Sequence, residues 1–277
     1  MRSPLRWLRR RRELARQSDR RREIEAELTH RWERRITLTP ASTKGGYDEI
    51  YHARANGEIV AMVRVNSPFK TQNDPIGPKD PGVPLGPAER LDREWNAYHV
   101  LSASDRSPRV LWRTHDAIAS TWVDWQRASH LLTRDRRLLW PTLERIIPAV
   151  SEMHGCGVTH LDLNLGNLLL EPDGEGAYLI DFEFGPVPWV TEPQQMAYDY
   201  LRLIDDCTKP RRGGKFILQD PSRIARLLAP HVHPEARPAP MGFAFGKLHR
   251  LAAQPGLLAA LEDVFPRLRA EAPSTTD

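Results

Sequence analysis

Two strand-sized apolar runs, Leu168-Leu169-Leu170 and Ala177-Tyr178-Leu179-Ile180, flank the turn-forming stretch Glu171-Pro172-Asp173-Gly174-Glu175-Gly176. Proline and glycine between two short apolar runs predict a β-hairpin. Its open end then brings Asn167, just before the first strand, beside Asp181, just after the second. Asp162 stands five positions ahead of Asn167 in His160-Leu161-Asp162-Leu163-Asn164-Leu165-Gly166-Asn167. A polar loop beside an ordinary hairpin accounts for any one of these residues, but the whole ordered set asks for more.

Two carboxylates and an amide in this order suit phosphoryl transfer from ATP, which needs positioning and charge neutralisation rather than covalent help. Asp162 suits the carboxylate that orients an attacking hydroxyl and takes its proton. Asn167 and Asp181 suit the pair that holds Mg2+ against nucleotide phosphates, since this hard cation takes oxygen ligands and keeps several of its waters. His160 reads as a packed histidine that braces the loop by hydrogen bonding to backbone. Asp199 reads either as an anchor for the loop or as a favourable acidic residue near a helix N-terminus.

With 277 residues, 40% of them apolar, and eight Trp, the chain is long enough to bury the core of one two-lobed domain or of two small ones. No run of about 18 apolar residues is present, so no membrane-spanning helix is expected. The N-terminus lacks the apolar stretch and cleavage site of a signal peptide. Cys156 and Cys207 offer neither a metal nor a disulfide framework, which fits a reducing cytoplasm. The net charge of +4 divides unevenly: residues 1–35 hold thirteen Arg against six acidic residues, which leaves −3 for the other 242.

Residues 1–34 read as a basic helical arm in which Ile24, Leu28 and Trp32 recur every four positions. Such a helix suits an anionic membrane surface, and equally suits packing its stripe on the domain. Without an interleaved aromatic platform or a base-reading module, nucleic acid is not expected as a partner.

Strands are predicted over 36–38, 48–54 and 58–65, with Asn56-Gly57 as a hairpin turn, and again over 109–112 and 117–123. Lys44-Gly45-Gly46 lies in a loop between the first two strands, where glycine lets backbone N–H groups approach phosphates. Residues 66–88 contain six prolines and three glycines and are expected to form neither helix nor sheet. Leu91, Trp95, Tyr98 and Leu101 mark a helix that carries Glu94. Trp122 and Val123 lie in a link to a second, mainly helical part, where exposed backbone groups can meet an adenine edge.

The chain resembles the protein-kinase-like superfamily and, within it, the small bacterial kinases of lipopolysaccharide core heptose and Kdo. Arg93-Glu94-Trp95, Met153 to Val158, His160 to Asn167, and Leu179-Ile180-Asp181-Phe182-Glu183 carry the resemblance, in order, over roughly residues 36–210. It implies an α+β, two-lobed protein-kinase-like fold. A small antiparallel-sheet N-lobe would span 35–124, with the proline-rich insertion at 66–88, and a mainly helical C-lobe would span 125–277.

The resemblance also implies ATP between the lobes, Asp162 as base, and Asn167 with Asp181 as magnesium ligands. Arg64 stands where the family usually has a lysine that bridges the nucleotide phosphates and the helix glutamate, here Glu94, which leaves three outcomes: Arg64 does that job, Lys44 reaches in from the glycine loop as in the with-no-lysine kinases, or the protein binds nucleotide and transfers nothing. The acceptor implied is a small molecule or a membrane-associated glycolipid, reached from the cytoplasm or peripherally at the cytoplasmic face of the inner membrane. The glycine after Asp181 comes only at Gly185, and no Ala-Pro-Glu closes the segment, which favours a small-molecule acceptor over a folded protein. The alternatives are a kinase-shaped regulator, a soluble aminoglycoside-type kinase and a protein Ser/Thr kinase.

Overall fold

A computed structural model describes the backbone of residues 4–41, 48–66, 80–172 and 174–271, with side chains from residue 17 onward. The chain divides into two compact units, residues 1–70 with 111–122, and residues 71–110 with 123–277. The boundary between Trp122 and Val123 falls inside the predicted link.

The first unit combines α1 (Pro4–Arg31) with a five-stranded antiparallel sheet of β1 (Thr37–Pro40), β2 (Glu49–Ala55), β3 (Glu58–Val65), β5 (Val110–Arg113) and β6 (Ala117–Thr121), ordered β1-β2-β3-β6-β5. Alternation places Ala61, Val63 and Val65 of β3 on one buried face. Asn56 and Gly57 both take positive φ, 51° and 88°, as a tight hairpin turn with right-handed strand twist requires.

The C-terminal half of α1 belongs to this unit's core. Ile24 and Leu28 are completely buried among Ile36, Leu38, Ala53 and Trp112, and Trp32 packs alongside. Polar groups of the helix are tied to the sheet as well. Glu25 Oε1 accepts the Leu38 N–H at 2.7 Å, Glu27 Oε1 accepts from Trp112 Nε1 at 2.8 Å, and Arg20 grips both oxygens of Asp116 at 2.7 and 2.6 Å. The stripe therefore packs on the sheet, and Glu25 covers a backbone donor of the edge strand β1. Leu28→Ala should cost about 2–5 kcal/mol of unfolding free energy in urea; a loss below about 1 kcal/mol would mean that this half of the helix is dispensable.

The second unit contains β4 (Gly82–Pro84), α2 (Pro87–Leu101), β7 (Gln126–Arg127), α3 (Ala128–Arg134), α4 (Leu139–Gly155), β8 (Leu168–Leu170), β9 (Ala177–Leu179), β10 (Phe184–Pro186), α5 (Glu192–Cys207), α6 (Gly214–Gln219), α7 (Pro221–Leu228), α8 (His249–Ala252) and α9 (Pro255–Glu262). The predicted hairpin forms from β8 and β9, and β7 extends it into a three-stranded sheet. Its core is built largely by α4 and α5, with Leu143, Ile147, Val150, Leu201 and Ile204 at 0% exposure. The helix α2, expected to accompany the first sheet, groups with this unit and buries Ala97, Tyr98 and Leu101 in its core. Cys156 is exposed, Cys207 is buried, and both are free.

One expectation fails at the prolines. Residues 82–84, read as part of an insertion without regular structure, form β4, and residues 184–186, which end in Pro186, form β10. The two pair antiparallel with Phe184 opposite Pro84 and Pro186 opposite Gly82. Proline removes a donor only at its own position, so a three-residue edge ladder survives. Leu85 N–H to Glu183 O at 3.2 Å and Val187 N–H to Pro81 O at 3.4 Å close its two ends. The backbone also runs close here: a Cβ on Gly82 would stand 3.1 Å from the Leu161 Cβ, and one on Gly185 would stand 2.6 Å from the Leu85 side chain.

Candidate functional site

The loop from His160 to Asn167 is held from below by α5. A helix repeats every 3.6 residues, so Asp199, Arg202 and Asp206 share one face. All three reach the loop. Asp199, fully buried, accepts the His160 N–H at 2.7 Å through Oδ2 and the Leu161 N–H at 2.7 Å through Oδ1, and Oδ2 also meets His154 Nε2 at 3.1 Å. Asp206 Oδ2 accepts the Leu165 N–H at 3.1 Å, while Lys209 and Arg212 neutralise its charge. Asp199 lies in the middle of its helix, so it acts as the anchor rather than as an N-terminal charge.

Those carboxylate bonds hold a strained turn. Leu161 has φ 65° and Asp181 has φ 75°, a left-handed conformation that costs about 1–2 kcal/mol in a residue with a side chain. His160 locks the two segments together. It is fully buried, with Nε2 3.0 Å from Ile180 O and its ring 4.6 Å from that of Phe182. This is the bracing role expected of it. Arg93 donates to Thr159 O at 2.6 Å and Thr159 Oγ1 donates to Gln195 at 2.8 Å, fixing the entry to the loop.

Asp162 points both oxygens at donors. Arg202 Nη2 donates to Oδ1 at 3.0 Å and Asn164 Nδ2 donates to Oδ2 at 3.2 Å. Its pKa is nonetheless raised above the usual carboxylate value: burial outweighs the opposing pull of Arg202 and His160, and the nearby Asp181 charge adds to the rise. The pKa of Arg202 is raised as well. Burial disfavours its charge, but Asp162 more than offsets this and holds the guanidinium protonated. A carboxylate with raised pKa and a fixed cationic neighbour is a group poised to exchange a proton.

The chain segments that carry Asn167 and Asp181 are joined at the open end of the hairpin, where Ile180 N–H donates to Asn167 O at 3.0 Å. Asn167 Nδ2 donates to Asp162 O at 3.1 Å, which commits the amide nitrogen and leaves the oxygen as the atom of this amide that could meet a cation. Tyr98 Oη accepts the Asp181 N–H at 3.4 Å. One amide oxygen and one carboxylate fit a magnesium ion that takes its remaining ligands from phosphate and water. Among the described residues no group of three or more His, Cys, Asp or Glu forms a dedicated metal cage.

The other predicted residues divide between the units. Arg64 lies in β3 and Trp122 follows β6 in the first; Glu94, buried in α2, and Val123 belong to the second. Arg64 Nε is 3.8 Å from Asp48 Oδ2. Lys44, Gly45 and Gly46 lie outside the described residues.

Among solved structures the chain is similar to the kinase domain of Mycobacterium tuberculosis PknI, crystallised as a double mutant, with 18% identity over 86% of this chain and 88% of that one and a TM-score of 0.46. No family model matches the chain, and no curated protein matches it. The chemistry open to the site thus follows from its own atoms. Sequence reasoning missed Arg202, Asn164 and Asp206 as partners of the loop. The i, i+3, i+7 spacing of Asp199, Arg202 and Asp206 was the signal available.

Proposed function

We propose that the protein is an ATP-dependent phosphotransferase whose acceptor is a hydroxyl on a sugar of a membrane-associated glycolipid of the lipopolysaccharide core kind. The observation that supports it most is the loop itself: Asp162 beside Arg202, with Asn167 and Asp181 brought together by the hairpin and the whole anchored by Asp199. The Asp162 carboxylate orients the acceptor hydroxyl and accepts its proton. The freed oxygen forms a bond to the γ-phosphorus as the bond from that phosphorus to the β,γ-bridging oxygen breaks, and ADP leaves with the electron pair. Asn167 and Asp181 would hold Mg2+, whose charge offsets that of the phosphates.

The glycolipid acceptor is supported by the arm, which holds seven Arg against one Glu in residues 1–16. No helix among the described residues is long and apolar enough to cross a membrane. Incubation with γ-labelled ATP and separated lipid, metabolite and protein fractions tests the acceptor: label should enter the glycolipid fraction. Label confined to protein or to soluble metabolites would refute the glycolipid. Any truncation made to test membrane contact should stop short of Arg20, which is bonded to Asp116.

Arg64 supports a second reading, a kinase-shaped regulator of weak or absent activity. Its guanidinium is shared with Asp48, and it is not interchangeable with lysine. MgATP binding without label transfer to any fraction would favour that reading.

The ion pair at the base gives a pH signature. The base works ionised, so activity should fall as pH drops through the raised pKa of Asp162. Removing the Arg202 charge removes a cause that lowers this pKa. Arg202→Ala should therefore shift the acid limb of the pH–rate profile to higher pH; an unmoved limb would show that Arg202 does not set the charge of Asp162.

A further inference from the structure

We infer that the surface flanking the Asp162 loop on the α3 and α6 side is a docking site for an acceptor that already carries phosphate groups. This deepens the kinase reading and rests on it. Residues 36–277 carry a net charge of −3. Within them, residues 124–140 and 205–215 hold eight basic side chains against four carboxylates, a local excess of +4 in a remainder that is acidic.

The fold brings these two segments together. A Cβ on Gly213 would lie 3.1 Å from Arg136 O and 3.3 Å from the Leu139 side chain, so the turn after α5 is pressed against the start of α4. The patch is also joined to the loop at two points. Arg127 Nη1 donates to Gly166 O at 2.8 Å, and Asp206, which pairs with Lys209 and Arg212, accepts the Leu165 N–H. Three of the four carboxylates are paired: Asp135 with Arg137, Asp205 with Arg250, and Asp206 as described. Asp124 is the exposed exception. Arg134, Arg136, Arg211 and Lys215 are exposed, and none has a carboxylate partner among the described residues.

A cluster of exposed cations with no carboxylate partner, fixed to the loop that holds the candidate base, favours phosphate on whatever is brought there. The phosphate belongs to a lipid-linked sugar, since the arginine-rich residues 1–16 of the same chain favour an anionic surface; a free sugar phosphate is the contrary outcome of the test. Inositol hexakisphosphate and vesicles of phosphatidylcholine with phosphatidic acid serve as soluble and lipid probes. Both are titrated, by calorimetry and by sedimentation, against the full chain and against the triple variant Arg134→Glu, Arg136→Glu, Arg211→Glu. These three side chains are exposed, so the variant should fold; its MgATP affinity should stay within about twofold of wild type and reports on fold and nucleotide site together.

The triple variant should bind the phosphatidic acid vesicles about a hundredfold more weakly than wild type; a loss confined to inositol hexakisphosphate would overturn the lipid-linked source. Binding of both probes within about twofold of wild type overturns the proposal, as does failure of wild type to bind either. Failure of wild type to bind MgATP while the anion binding and its loss persist would sink the kinase reading and leave the anion surface standing.

Discussion

Asp162→Asn should lower phosphoryl transfer by about 10²–10⁴-fold while leaving MgATP affinity within a few-fold of wild type. The range is that of a positioned general base. The substitution keeps the shape of the side chain and its place on the loop but removes the group that accepts the hydroxyl proton. Arg202 and Asn164 both donate to Asp162, and an amide presents only one oxygen to two donors, so local rearrangement contributes to the loss. Single-turnover transfer with radiolabelled ATP measures the effect. Transfer at more than a tenth of the wild-type rate would remove Asp162 from the role of base.

Asp199→Ala should act on stability before it acts on rate. It strips the partner from two buried backbone N–H groups, His160 and Leu161, and from the buried His154. An unsatisfied buried donor costs about 1–3 kcal/mol, and removing one member of a buried charged network costs about 3–5 kcal/mol. The left-handed Leu161 then loses what holds it in place. A loss of about 3–5 kcal/mol in urea unfolding is expected, with proteolytic sensitivity between residues 158 and 168. A change below about 1 kcal/mol would mean that the remaining contacts of the loop hold it without Asp199. The contrast with Asp162→Asn separates the anchor from the chemistry, because only the anchor should unfold the loop.

The parts of the site visible in the sequence are those specified by neighbours along the chain. The β8–β9 hairpin follows from apolar runs and a turn, so the approach of Asn167 to Asp181 could be read directly. His160 was legible as a brace and Asp199 as one of two possibilities, which its mid-helix position resolves. Arg202 was not legible because its partner lies forty residues away, and charge alone does not tell which of many arginines will face a given carboxylate. The stripe of Ile24, Leu28 and Trp32 announced an amphipathic helix but not what would cover it; the sheet does so. The short pairing of β4 with β10 was hidden by proline, since composition averages over positions whereas an edge ladder needs only its own few donors. That α2 groups with the helical unit reflects long-range burial of Tyr98 and Leu101, which periodicity does not address.

Whether Asn167 and Asp181 form a metal-dependent phosphate site is tested most directly by titrating ATP into wild type and Asp181→Asn, each with and without Mg2+. Wild type should bind ATP at least about tenfold more tightly with Mg2+ than without, a difference near 1.4 kcal/mol, and Asp181→Asn should abolish that difference. A wild type that binds no ATP, or binds it equally well with and without Mg2+, would contradict the assignment of this loop and hairpin to phosphoryl transfer.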